Sequence, residues 1–189
     1  MRFIIGLFLL CVNYQLYSQE CLSVPLSEQG TWHIVDQDSL SSGTKSWTLL
    51  HPGERQDDYS ECITIQQTAT ALNLSVDQVI NRTVQNARQE FQRGKITMIE
   101  KRIGIDVRPE WGIFSIESPA PKKGGSSQTI LFFILMGEEH TYIVQRKTLN
   151  PKLSSSEKKE WKKLFKAAKL QSQEMEQALT EMNISRSGE

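Results

Sequence analysis

Residues 129–148, TILFFILMGEEHTYIVQRKT, hold the longest apolar run outside the N-terminus and then turn back on themselves. The run 130–136 is apolar at both alternating sets of positions, which predicts a strand covered on both faces. Residues 137–140 predict a polar turn, and Tyr142 and Val144 then alternate with Thr141 and Gln145 as in a half-exposed strand. A buried helix is the alternative for the apolar run, but its β-branched and aromatic residues and the following turn favour a β-hairpin.

Phe132 and Phe133 are neighbours in this apolar strand. Successive side chains of a strand point to opposite faces. We therefore expect both rings in the core, one on each face of a central strand.

Residues 1–18 show the pattern of a secretory signal peptide, with Arg2, an apolar stretch at 3–12 and a small residue at Ser18. The apolar stretch is too short to cross a bilayer of ~30 Å as a helix. The sequence predicts cleavage near Ser18 and Gln19, an exported protein that is periplasmic or secreted, and no stable membrane anchor after cleavage.

Two cysteines, Cys21 and Cys62, remain once Cys11 has left with the signal. In an oxidising compartment such a pair predicts a disulfide. A reactive thiol is the alternative, but it needs a nearby base that neither sequence context offers. No metal site or cofactor is predicted, because the histidines are scattered far apart: His33, His51 and His140.

The charge of the chain is balanced, with 22 basic and 22 acidic residues. Removing Arg2 leaves 21 against 22, a net charge of −1, which gives no argument for a nucleic-acid partner. The expected organisation is a signal peptide at 1–18, a leader segment at 19–30, a single domain at 31–182 and a flexible tail at 183–189.

Two amphipathic helices are predicted from capping boxes followed by helical periodicity. Ser75 and Gln78 start the first helix, which Gly94 ends. Ser154 and Glu157 start the second. Its apolar stripe is expected to pack on the sheet and, at helical spacing, could continue well beyond Leu170: Trp161, Leu164, Phe165, Ala168, Met175, Leu179 and Met182.

Further strands are predicted at 31–35, 46–50, 57–67, 95–107 and 111–118. In the third of these, Tyr59 is expected to share a face with Glu61 and Ile63, opposite Cys62. The alternation at 95–107 slips near Ile99, which predicts a bulge.

Lysines occupy the side of the last helix opposite its apolar stripe: Lys158, Lys159, Lys162, Lys163, Lys166 and Lys169. We expect them to point to water and to provide solubility or a weak attraction to an anionic partner. The alternative is a basic amphipathic helix on an anionic membrane. Lys122 and Lys123, in a Pro- and Gly-rich loop, either contact an anion or keep a hairpin tip soluble.

The order of three strands, a helix, four strands and a helix, over roughly residues 32–170, resembles the PsbP-like fold. That fold is shared by photosystem extrinsic proteins, a nuclear import factor and many bacterial exported proteins of unknown function. The resemblance implies an α+β domain in which an antiparallel β-sheet carries two amphipathic helices.

A local motif is similar to that of small bacterial periplasmic proteins of unknown function. It comprises the turn 51–54, HPGE, and the strand 59–64, YSECIT. Those proteins usually have Trp at the position of Tyr59, and many have a cysteine after the helix that this chain lacks. The similarity implies fold and compartment but no site.

Strong catalytic signatures such as Gly-x-Ser-x-Gly, a phosphate loop or His-Glu-x-x-His are absent, and no catalytic residue is predicted. Four carboxylates lie where two could meet in a cleft: Glu61, Asp106, Glu110 and Glu117. The sequence therefore favours a non-enzymatic binding or accessory module for an unknown protein or an anionic surface. The alternatives are a carrier of a small apolar ligand between helix and sheet, and a minor hydrolase.

Overall fold

The computed structural model describes residues 20–26, 30–39, 43–70, 74–90, 94–104, 109–118 and 127–172. Two helices and nine strands lie in these ranges: β1 (Glu20–Ser23), β2 (His33–Ser39), β3 (Lys45–Leu50), β4 (Glu61–Ala69), α1 (Val76–Glu90), β5 (Lys95–Arg102), β6 (Glu110–Ser118), β7 (Gln128–Met136), β8 (His140–Thr148), α2 (Ser155–Ala167) and β9 (Lys169–Ser172). No helix in these ranges is long and apolar enough to cross a membrane.

Seven strands form one antiparallel sheet in the order β2-β3-β4-β8-β7-β6-β5, and β1 pairs with β9 in a small second sheet. The predicted α+β class with an antiparallel sheet and two helices is confirmed. The register of β5 against β6 shifts between Met98 and Glu100, so the bulge predicted near Ile99 is also confirmed. β5 itself ends at Arg102, earlier than expected.

The strand β7 lies inside the large sheet and is covered on both faces, as its sequence predicts. On one face Phe132 stacks on Phe114 of β6, with 4.7 Å between ring centroids, in a cluster completed by α1. On the other, Phe133 stacks on Phe165 of α2 at 4.9 Å. The two rings are 3% and 1% exposed, which confirms that they lie in the core on opposite faces.

Both predicted capping boxes are present. The Gln78 side chain accepts a hydrogen bond from Ser75 N at 2.9 Å, and Gln78 N donates to Ser75 Oγ at 3.4 Å. At the start of α2, Ser154 N donates to the Glu157 carboxylate at 2.8 Å and Glu157 N donates to Ser154 Oγ at 3.1 Å. The side chains thus satisfy backbone donors that the first turn of each helix leaves unpaired.

The helix α2 stops much earlier than its periodicity predicts. It ends at Ala167, and Ala168 has the extended conformation. The next residues form β9, in which Leu170 pairs with Leu22 of β1 and packs against the core under α2. The prediction of a helix running beyond Leu170 is therefore wrong, because backbone pairing with β1 replaces helical hydrogen bonds there. Residues 173–189, including the predicted tail, lie outside the described ranges.

The strand β1 is fastened to the turn between β7 and β8 through Glu20. The Glu20 carboxylate accepts hydrogen bonds from Glu138 N at 3.0 Å and His140 N at 3.2 Å. Tyr142 donates its hydroxyl to the Glu20 carbonyl at 2.7 Å, and burial raises the pKa of Tyr142. We call this set of contacts the Glu20 clamp. The leader is thus held by polar contacts and strand pairing.

The predicted disulfide between Cys21 and Cys62 is wrong, because the structure holds no bond between these residues. Cys21 follows Glu20 beside the β7–β8 turn, whereas Cys62 pairs with Lys147 near the far end of β8. Leu22 of β1 packs on the α2 side of the sheet, while Cys62 projects from the other side. The two cysteines thus lie near opposite ends of β8 and on opposite faces of the large sheet.

Candidate functional site

The helix α1 covers only part of its face of the large sheet. It packs against β6 and β7. On the same face, β8, β4, β3 and β2 carry no helix in the described part of the chain. This half of the sheet presents a mostly polar surface that is available for contact.

A groove of about 390 Å³ lies on this uncovered half. The side chains along it include Asp36, Thr48, Tyr59, Thr64, Gln145 and Lys147, and its base is formed by the buried Leu50, Cys62 and Ile130. A second hollow of about 220 Å³ shares Ile130 and Gln145 with it and extends to Thr83 and Asn86 of α1. We call the two together the polar groove.

Strand register aligns the centre of the polar groove into a straight row. Asp36 pairs with Thr48, Thr48 with Thr64, and Thr64 with Gln145. Neighbouring strands lie about 4.8 Å apart, so the row is roughly 14 Å long. It offers one carboxylate, two hydroxyls and one carboxamide, and the hydroxyls and the carboxamide can both donate and accept hydrogen bonds.

Tyr59 stands at one side of this row. The strand β4 begins only at Glu61, after an isolated bridge between Arg55 and Asp58, so Tyr59 does not continue its alternation. The ring lies 5.9 Å from Lys147 Nζ, on the groove side of the sheet. The prediction that Tyr59 shares a face with Glu61 is therefore wrong, and an aromatic ring borders the groove instead.

Cys62 lies at the base of the groove and is 8% exposed. Burial raises the pKa of its thiol, and its Sγ contacts Thr64 Oγ1 at 3.9 Å. A thiol held in the protonated form is a poor nucleophile. The groove thus offers hydrogen bonding rather than thiol chemistry.

The lysines of α2 do not all point to water, which corrects the sequence prediction. Lys158 pairs with Glu117 at 2.8 Å, and Glu100 on β5 is shared by Lys162 and Lys166. Hydrogen bonds from the latter two lysines lower the pKa of Glu100. These cations reach from the helix to β6 and to the edge strand β5, where carboxylates neutralise them.

The remaining lysine predictions have different outcomes. Lys159 and Lys163 are exposed on α2, as expected. Lys169 lies on β9 and not on the helix. Lys122 and Lys123 lie outside the described residues. Of the predicted lysine set, Lys159 and Lys163 on α2 and Lys169 on β9 have no carboxylate partner in the described part of the chain.

A recess of about 590 Å³ lies along the outer face of α2, beside Lys159 and Lys163. All its described lining residues belong to this one helix. The polar groove, in contrast, is lined by five strands, by α1 and by the segment before β4, which fixes its side chains relative to one another. We therefore take the polar groove as the candidate site.

The candidate carboxylates do not converge. Glu61 is ion-paired with Arg146, Glu117 with Lys158, and Glu110 accepts a hydrogen bond from Val76 N at 3.2 Å at the start of α1. In the sheet order, β4 and β6 are three strand spacings apart, which is roughly 14 Å. Asp106 lies outside the described residues. Among the described residues, no group of three or more His, Cys, Asp or Glu side chains is placed to bind a metal ion.

Comparison of the sequence with protein-family models and with curated proteins gives no match. We therefore infer function from the geometry of the chain itself.

Sequence reasoning missed the polar groove, although part of its signal was present. The alternation of Thr141 and Gln145 with apolar residues indicates an open face on β8, and Thr48 and Thr64 alternate with apolar residues in the same way. What the sequence does not show is that these strands are neighbours, because β4 pairs with β8 across the whole of α1 and three strands.

Proposed function

We propose that this protein is an exported, non-enzymatic binding module that holds its ligand in the polar groove. The observation that carries the proposal is the convergence of hydrogen-bonding side chains from four strands, together with Tyr59, on one concave surface. Convergent polar groups on a concave surface are one feature of small-ligand sites, in which they fix the orientation of the ligand.

Binding is favoured over catalysis because the reactive groups near the groove are held in unreactive states. Burial raises the pKa of the Cys62 thiol. Glu61, the candidate carboxylate nearest in sequence, projects from the opposite face and is ion-paired with Arg146. The described lining contains no histidine that could act as a base near neutral pH.

Two other proposals have less support. A carrier of an apolar ligand needs space between helix and sheet, but the stacked rings of Phe133 and Phe165 occupy that position under α2. Among the described residues of the predicted lysine set, binding to an anionic surface would rest on Lys159, Lys163 and Lys169, and a few exposed charges are strongly screened at physiological salt. A relationship to the PsbP-like family remains a proposal that rests on the order of strands and helices.

A thermal-shift screen of oligosaccharides, peptides, nucleotides and polyanions tests the proposed site. A free ligand at a concentration one hundred times its dissociation constant raises the free energy of unfolding by about 2.7 kcal/mol. This corresponds to a rise in melting temperature of about 5 to 10 °C. Thr64→Arg, at the centre of the groove, should abolish the rise. Thr68→Arg is the matched control, because it lies on the same strand and face but does not line the groove.

Three outcomes would contradict the proposal. A ligand that stabilises Thr64→Arg as much as the parent protein binds elsewhere. A rise abolished by replacing Lys159 and Lys163 with Gln would assign binding to α2. Chemical conversion of the bound ligand, detected by mass spectrometry, would make the protein an enzyme.

Export is a separate part of the proposal and has its own test. Expressed with its complete N-terminus, the protein should be recovered outside the cytoplasm with a mass reduced by residues 1–18. Retention of the full mass in the cytoplasmic fraction would contradict export.

A further inference from the structure

We infer that the ligand of the polar groove is a neutral, linear oligosaccharide that lies across the strands β2, β3, β4 and β8. The inference rests on the proposed function and names the ligand class of the same site. It is carried by the cross-strand row of Asp36, Thr48, Thr64 and Gln145, which places one hydrogen-bonding side chain on each strand.

The spacing of the row matches a chain of sugar rings. Strands repeat about every 4.8 Å, and a pyranose unit in a linear chain is of similar length. Each sugar would therefore meet the side chain of one strand. Hydroxyl groups both donate and accept hydrogen bonds, as do the threonine hydroxyls and the Gln145 carboxamide.

A neighbouring row of paired residues, on the same face of the sheet as the polar row, adds apolar contacts for a sugar ring. Leu50 pairs with Cys62 and Cys62 pairs with Lys147, so this row is largely apolar at its base. Tyr59 lies beside Lys147 and presents an aromatic ring at the border of the groove. An aromatic ring has an apolar body that can cover the C–H face of a sugar, while the polar row receives its hydroxyls.

The charges of the groove favour a neutral ligand over an ionic one. Asp36 on β2 and Lys147 on β8 stand at opposite sides and make no ion pair with any described residue. Their charges cancel, so the groove offers no net attraction to a polyanion. A nucleic acid would need several cations along its phosphates. A peptide adding to the sheet would bind at a strand edge and not on this face.

The test is titration of the exported protein with cellotetraose, maltotetraose and tetra-N-acetylchitotetraose, followed by amide NMR shifts. At least one sugar should shift amides of β3, β4 and β8 in a saturable way. Its disaccharide should bind at least tenfold more weakly, since it reaches only two strands.

Variants that remove single hydroxyls sharpen the test. Thr48→Val and Thr64→Val keep the shape and branching of the side chain and should each weaken binding about tenfold, the effect of one lost hydrogen bond. Thr97→Val on β5 is the matched control and should bind as the parent does. Unchanged melting temperatures show that the variants are folded.

The failures of the inference and of the proposed function are distinguishable. If none of the three sugars shifts groove amides, or if the threonine variants bind as tightly as the control, the oligosaccharide inference is overturned. If a tetrapeptide saturates the groove instead, the ligand class is wrong but the binding site stands. Sugar-induced shifts confined to α2 would overturn both.

Discussion

Arg146 shows how a single side chain joins the last helix to the sheet. It is 6% exposed, forms an ion pair with Glu61 and lies 3.6 Å from the Glu157 carboxylate. Its guanidinium also lies over the Trp161 ring, 4.7 Å from the centroid. A buried guanidinium is tolerated only when paired, because desolvating a lone charge is costly. Arg146 therefore fixes the position of α2 through both its capping residue and its core tryptophan.

Glu157 is expected to make stability depend on pH in the acidic range. Hydrogen bonds with Ser154 and the nearby Arg146 lower the pKa of Glu157 below its ordinary value. A lowered folded-state pKa stabilises the protein above the unfolded-state pKa, and this contribution is lost as pH falls through the folded-state value. Glu157→Gln keeps a capping side chain but removes the charge. It should cost about 0.5 kcal/mol at pH 7, because the group is solvent-screened.

Urea titrations at pH 7 and pH 3 measure this effect. The difference between parent and Glu157→Gln should shrink at pH 3, because the parent carboxyl takes up a proton as the pH falls through its lowered folded-state pKa. Glu160→Gln, one turn along the exposed side of α2, serves as the control. A difference that is equal at both pH values would show that the charge of Glu157 is not involved.

Phe132 and Phe133 provide a test of the two core faces. Each ring is buried in a separate cluster, one under α1 and one under α2. Phe132→Ala and Phe133→Ala should each lower the free energy of unfolding by about 3 to 5 kcal/mol, from lost burial and the cavity left behind. Denaturant titration measures both. If one change were nearly neutral, that face would not be close-packed.

At the scale of elements, the small sheet β1-β9 depends on the Glu20 clamp. Gly137 leaves space for it, because a Cβ at this position would meet the Glu20 carboxylate and displace it from its hydrogen bonds. The turn thus leaves room for an acidic side chain from a distant strand. The backbone N–H groups of the turn supply the hydrogen bonds that the carboxylate needs.

Gly137→Ala is expected to release β1 and β9 while the seven-stranded sheet stays folded. Amide hydrogen exchange in β1 and β9 should accelerate at least tenfold, while β7 amides stay protected, since local opening can occur below the global unfolding energy. Glu20→Gln, which keeps one acceptor oxygen, should show a smaller effect. Unchanged exchange in β1 for Gly137→Ala would contradict the clamp.

Local patterns were sufficient for some elements and not for others. The capping boxes at Ser75 and Ser154 and the two-faced strand β7 depend on neighbouring residues, so the sequence predicts them. The end of α2 depends on β1, which supplies a partner strand for residues that continue the helical periodicity. Lys166 donates a hydrogen bond to Glu100, which is 66 positions away in the sequence, so no local pattern predicts this contact.

At the scale of the whole molecule, the fold keeps Cys21 and Cys62 from forming a disulfide with each other. Sequence counting pairs them, but the fold separates them along β8 and by face. The site was missed for a related reason: the polar row exists only after β2, β3, β4 and β8 are placed side by side. The separation of the cysteines and the polar row both follow from the order of the strands in the sheet, which no local sequence pattern predicts.

Cys62 is expected to react with a thiol reagent only when the protein unfolds. It is buried and its pKa is raised, so native labelling should be slow. In guanidinium, without reductant, Cys62 should label fully. Cys21→Ser should leave the labelling of Cys62 unchanged and should not lower the free energy of unfolding by as much as the loss of a disulfide would. A loss of about 2 to 4 kcal/mol in that variant would indicate a disulfide after all.

The Glu20 clamp also bears on the order in which the chain folds. Glu20 and Glu139, which it contacts, are 119 positions apart, and β1 pairs with β9 at the far end of the described chain. Contacts of such long sequence separation are slow to form, since the loop between them must first be closed. During synthesis, β1 therefore completes its pairing only after β9 has left the ribosome, by which time all seven strands of the large sheet have already been made.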